Sequence, residues 1–207
     1  MIQWQTYRSK SIILIDQAIV SGNSFLLSIL LVRLLGINIF GEFSIILLVT
    51  QGIVAINQSL VTSPYQSLYA QSKINNYSKQ LKGIQTLIIG VFIFIIVIFN
   101  IVIEALSIEL VTLPLVLFSI YFIGTVLFDF NRKQLYLHKK YLYCLIKDAF
   151  SIFSQLTLIG ILVSIDKFNT LEDILLAVGS CLIVVEGIVF LITTRPILPS
   201  ITILKKH

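Results

Sequence analysis

Apolar residues along the chain gather into six long runs, at 11–35, 41–62, 83–103, 111–128, 147–165 and 174–194, with shorter polar stretches between them. Each is close to the roughly 20 residues that cross about 30 Å of hydrocarbon as a helix. The third holds IIGVFIFIIVIF without a break, whereas the fifth opens on Lys147 and Asp148. Ser63 and Pro64 close the second run, and Gly36 and Gly41 supply a tight turn between the first two. The pattern predicts an all-α integral membrane protein of six transmembrane helices, forming one bundle over residues 1–207.

Composition agrees with a lipid solvent: 57% of the 207 residues are hydrophobic and 12% charged, at a mean hydropathy of +0.98. The net charge of +5 lacks the basic, aromatic-interleaved stripe of a nucleic-acid binder, so no nucleic-acid partner is expected. The basic residues instead sort by side. With the N-terminus inside, thirteen of the fifteen fall in inner segments and only Arg33 and Lys167 lie outside. Both termini are therefore expected to be cytoplasmic. Arg8 and Lys10 precede an apolar stretch as in a signal peptide, but Asp16 and Gln17 interrupt it and no small-residue cleavage pattern follows, so this segment is expected to remain as the first span. The inner segment 129–146 mixes lysines with tyrosines, which suits an interfacial, anionic-lipid-facing zone.

Polar residues inside the runs carry the functional signal, because an ionisable group at mid-bilayer costs at least about 2.5–3.5 kcal/mol. Gln17, Ser21, Ser24 and Ser28 share a helical face, with Asp16 and Asn23 beside it. Gln51, Ala55, Gln58 and Thr62 form a second such face, and Cys144, Asp148, Ser151 and Gln155 a third. Two readings stand for these stripes: close helix packing through small residues, or the wall of a hydrated cavity. Glu186, near the middle of the sixth run, is either a neutral acid bonded between helices or, with Asp148, a proton- or ion-coupling group. Arg33 either snorkels to outer headgroups or faces inward to meet a phosphate.

No chemistry-bearing motif appears. There is no G-x-x-x-x-G-K loop, Cys144 and Cys181 lack metal or redox spacing, and His138 and His207 are isolated. No catalytic residue, metal or cofactor is expected, and the chain is read as a non-enzyme.

Residues 16–65, DQAIVSGNSFLLSILLVRLLGINIFGEFSIILLVTQGIVAINQSLVTSPY, resemble the opening of polysaccharide and O-antigen flippase-like transporters. These belong to the multidrug/oligosaccharidyl-lipid/polysaccharide exporter superfamily. DQAIVSGNSF, the R-x-L-G with its following F-G-x-F, and NQSLVTSP carry the likeness, and residues 128–148 are similar to the family's basic connection. The resemblance implies one six-helix lobe of a two-lobe exporter in the cell (inner) membrane, with the C-terminal lobe absent and a homodimer or second-lobe partner completing it. It also implies an undecaprenyl-diphosphate-linked glycan, a lipopolysaccharide or O-antigen precursor, as substrate. Arg33 is then expected at the phosphate, and Asp16, Gln17, Asn23, Gln51 and Gln58 at the sugar. A small-molecule exporter of the same fold and a non-transporting scaffold are the alternatives.

Overall fold

In the computed structural model, residues 2–63, 66, 77–105 and 115–193 are described, and every regular element among them is helical. Helix α1 runs over Ile2–Asn57 and passes into a π-helical turn, Gln58–Thr62. It is followed by α2 (Tyr77–Ala105), α3 (Leu115–Leu137), α4 (Tyr141–Ser164) and α5 (Leu171–Thr193).

The expectation of six transmembrane helices is corrected by this fold. Among the described residues, three helical stretches are long and apolar enough to cross a membrane: Ser9–Thr62, Tyr141–Ser164 and Leu171–Ile192. The runs at 11–35 and 41–62 fall within the single stretch Ser9–Thr62, which Gly36 interrupts. In α2 the apolar stretch among the described residues is the shorter Gly83–Ile95. The fourth run continues as helix to Leu137 and so takes Asp129, Arg132 and Lys133 into α3. For α3 the reason is packing: a run that is apolar because it lies against another helix, here α5, reads the same as one that faces lipid.

Gly36 interrupts α1 with φ 82° and ψ 170°, a conformation open essentially to glycine alone. Its effect is a reversal of the chain. Val20 and Gln58 line the same cavity, yet a straight helix would hold them about 57 Å apart at about 1.5 Å per residue. The two arms of α1 therefore fold back on each other, and Leu27 and Leu31 share a core with Phe43 and Ile46.

Helices α3 and α5 make the most extensive pairing of the bundle, and glycine permits it. A Cβ at Gly179 would stand 2.8 Å from the backbone N and Cα of Tyr121, and one at Gly124 would stand 2.7 Å from Leu182 Cβ. Small residues of this kind let membrane helices approach closely. The core then spreads from this pair to both arms of α1, through Tyr121, Ile159, Ile174, Val178 and Leu182.

Two helix ends close in the same way. Lys139 and Asp166 take positive φ values of 57° and 52°. The amides that follow bond back to the helix, Lys140 N–H to Leu135 O at 2.9 Å and Lys167 N–H to Leu162 O at 2.9 Å, with Lys139 and Asp166 bonding to Tyr136 and Val163. This is the Schellman pattern, usually built on glycine.

Outside the core, large apolar side chains such as Phe25, Leu48, Leu60, Phe94, Phe153 and Leu191 are exposed on the helices. Soluble monomers rarely present so extended an apolar surface, whereas a bilayer covers it.

Candidate polar cavity and buried charge network

Between the two arms of α1 and helices α3, α4 and α5 lies a cavity of about 540 Å³. Asn23, Ser24 and Ser28 come from the first arm, Gln51 and Gln58 from the second, Thr125 and Asp129 from α3, and Gln155 from α4. Phe43, Tyr121 and Phe128 supply aromatic wall. Gln58 opens the π turn, whose wide geometry is marked by the Ser63 N–H bonding to Gln58 O; such turns often sit at functional positions.

One layer toward the N-terminal end of α1 is a cluster of five charged side chains. Arg132 of α3 bridges Asp16 of α1 (Nη2–Oδ2 2.8 Å) and Asp148 of α4 (Nε–Oδ2 2.7 Å). Lys147 in turn contacts Asp148 Oδ1 at 2.6 Å and Glu186 Oε1 of α5 at 2.7 Å. Asp16, Asp148 and Glu186 have no exposed surface. Glu186 also accepts bonds from Ser151 Oγ at 3.2 Å and Asn131 Nδ2 at 2.9 Å, while Asn131 donates to the Glu186 carbonyl at 2.9 Å. The Tyr136 hydroxyl donates to Asp16 Oδ2.

Helix register explains why these groups meet. Asp148 follows the start of its helix at Tyr141 by seven residues, and Asp16 lies well within α1, which starts at Ile2. Asp148 therefore lies about 10 Å inside its helix, and the Arg132 bridge sets Asp16 at the same level. Helices α3 and α5 run the other way, so Arg132 and Glu186 reach the same level five and six residues before Leu137 and Ile192. At that depth an unpaired charge is expensive, and removing one partner of a buried pair costs about 3–5 kcal/mol.

Phe128 divides the two features. Its ring lines the cavity and lies 4.5 Å from Lys147 Nζ and 5.5 Å from Arg132 Cζ.

Asp16, Cys144 and Asp148 place potential ligand atoms within 4.8 Å of one another. The Arg132 guanidinium already stands between the two carboxylates, so the donor set is filled by a fixed cation. Cys144 Sγ lies 3.8 Å from Asp148 Oδ2.

Of the residues singled out from sequence, Asn23, Gln51 and Gln58 line the cavity, and Asp16, Asp148 and Glu186 belong to the charge cluster. Gln17 is exposed on the first arm and Arg33 is exposed three residues before the Gly36 reversal; neither lines the cavity. The sequence places Arg132 in an inner connection and Lys147 at the mouth of the fifth run, whereas the fold builds Arg132 into α3 and joins both to the cluster. Asn57 and Gln85, bonded at 3.2 Å and buried, tie α1 to α2. A lone amide in each of two distant runs gave no sign of that pair.

No family model, curated protein or solved structure matches the chain.

Proposed function

We propose that the chain is a membrane carrier component of the flippase-like kind, in which the cavity receives the sugar portion of a lipid-linked oligosaccharide. The observation that carries this reading is the cavity's lining. Amides and hydroxyls from Asn23, Ser24, Ser28, Gln51, Gln58, Thr125 and Gln155 converge beside Phe43, Tyr121 and Phe128, inside helices whose outer faces are apolar. Neutral hydrogen-bonding groups set on an aromatic wall suit a polyhydroxylated ligand. Asp129, the sole charged residue of the lining among the described residues, is paired with Lys133 at 2.7 Å. Recognition of the cargo's phosphates therefore falls to groups outside this cavity, and Arg33 is not part of it.

The cluster of Asp16, Arg132, Asp148, Lys147 and Glu186 is the coupling element of this reading. Among the described residues it sets three carboxylates against two cations, an excess of one negative charge that uptake of a proton or a small cation would balance. Phe128 touches both features and gives gain or loss of that charge a route to the cavity wall.

The test uses single cysteines at positions 23, 51 and 58 in a Cys144→Ala, Cys181→Ala background, with the protein in proteoliposomes. Labelling by a membrane-impermeant thiol reagent, slowed by lipid-linked glycan, is expected at all three. Gln51→Leu and Gln58→Leu are expected to lower glycan flipping at unchanged thermal midpoint. Cysteines that stay unlabelled at all three positions would end the carrier reading.

A further inference from the structure

A second cavity, of about 560 Å³, lies at the far side of the charge cluster from the first, lined by Ser9, Ile12 and residues 139–143. Two observations place it at a water–lipid boundary. The candidate span Tyr141–Ser164 begins at this cavity, and in α1 the polar residues Ser9, Lys10 and Ser11 precede the apolar ones that follow, so both helices turn apolar where this cavity opens. Its wall is also graded: Lys139 and Lys140 are exposed at one side, while Ile12, Leu142 and the rings of Tyr141 and Tyr143 form the rest.

Among the described ion pairs none takes Lys139 or Lys140, whereas Arg132, Lys133 and Lys147 are all engaged. The backbone fixes the two lysines in place. Lys139 occupies a left-handed position at φ 57°, where glycine is the usual residue, and the Schellman bonds lock the turn. Helix α4 begins there without a side-chain cap, so its first-turn amides carry no side-chain partner beside the two lysines.

From this geometry we infer that the cavity is a binding site for a phosphate ester, supplied by the headgroup of an anionic membrane lipid whose glycerol and first methylenes lie against Ile12 and Leu142. Two lysines give the charge, the tyrosines give an amphipathic rim, and the apolar wall gives a reason for a lipid rather than a free ion.

The full chain in detergent, analysed by native mass spectrometry with phosphatidylglycerol, phosphatidylcholine or inorganic phosphate, tests the site. Phosphatidylglycerol is expected to be retained at least about fivefold better than phosphatidylcholine, and Lys139→Gly and Lys140→Gln are each expected to lower that retention about fivefold. Lys167→Gln, the same charge change at the other end of the bundle, is expected to leave it unchanged. Lys139→Gly suits the left-handed position, so its thermal midpoint should hold or rise while binding falls. Should it fail to fold, Lys140→Gln carries the test. Equal retention of the two lipids, or an equal loss in Lys167→Gln, overturns the site. Displacement by inorganic phosphate at concentrations matching the lipid overturns the headgroup as its source.

Discussion

Lys147 lies between a carboxylate and an aromatic face: its Nζ is 2.7 Å from Glu186 Oε1 and 4.5 Å from the centroid of the Phe128 ring. The ammonium is thus shared by the charge cluster and the wall of the polar cavity. Removing one member of the pair leaves a buried charge behind. Lys147→Met and Glu186→Gln are each expected to destabilise the protein by about 3–5 kcal/mol, and the double variant by less than the sum. A double-mutant cycle on thermal or denaturant midpoints in detergent measures the difference; full additivity would show that the two residues are not coupled.

Phe128→Leu keeps an apolar side chain but removes the ring beneath two cations. A loss of about 0.5–2 kcal/mol is expected. Thiol labelling of a cysteine at position 151, which neighbours Glu186, should speed up as the partition from the cavity thins. Unchanged labelling would mean that the ring is not the barrier.

Close approach of α3 and α5 depends on a missing side chain. Gly179→Val would push a methyl-bearing carbon into the Tyr121 backbone, and backbone yields less readily than a side chain. The expectation is loss of folded protein, read as aggregation on size-exclusion chromatography. Gly160→Val, with open space around its Cβ position, is the control that should remain monodisperse.

Gly36→Ala addresses the chain reversal in α1. No atom lies within 4 Å of the added carbon, so the cost is conformational alone. At φ 82° and ψ 170° it is expected to be about 1–3 kcal/mol, measurable as a lowered thermal midpoint. An unchanged midpoint would mean that the reversal does not need glycine.

His138 sits in the turn between α3 and α4, where partial burial and the Lys140 cation hold its imidazole below its ordinary range. The unfolded chain then takes up the proton first as pH falls. This residue's contribution is intact above its unfolded value of about 6.5 and is lost as pH falls through the folded value. The thermal midpoint is expected to drop between pH 7 and pH 5 by more in the native chain than in His138→Gln; equal drops would remove His138 from the account.

Much of the cavity was legible in the sequence, because Asn23, Gln51 and Gln58 stand out as amides in otherwise apolar runs and recur at helical spacing. Asp148 and Glu186 were visible for the same reason. The charge cluster as a cluster was not, since Arg132 finds Asp16 across 116 residues and Lys147 finds Glu186 across 39. A basic residue near the end of an apolar run looks the same in sequence whether it reaches water or a buried carboxylate. The fourth run is hidden from sequence on similar grounds: α3 packs extensively against α5, and hydropathy has no means of separating that from contact with lipid.

The ion pairs also fix which parts of the bundle can slide. They fasten the first arm of α1, α3, α4 and α5 at one level, while the second arm of α1 meets that unit through Phe43, Ile46 and neighbouring apolar side chains, and Asn57 at its end bonds Gln85 of α2. Shearing apolar surfaces past one another breaks no electrostatic bond. The compliant seam of the molecule therefore runs along the second arm, where Gln51 and Gln58 lie, and its hinge is the glycine at position 36.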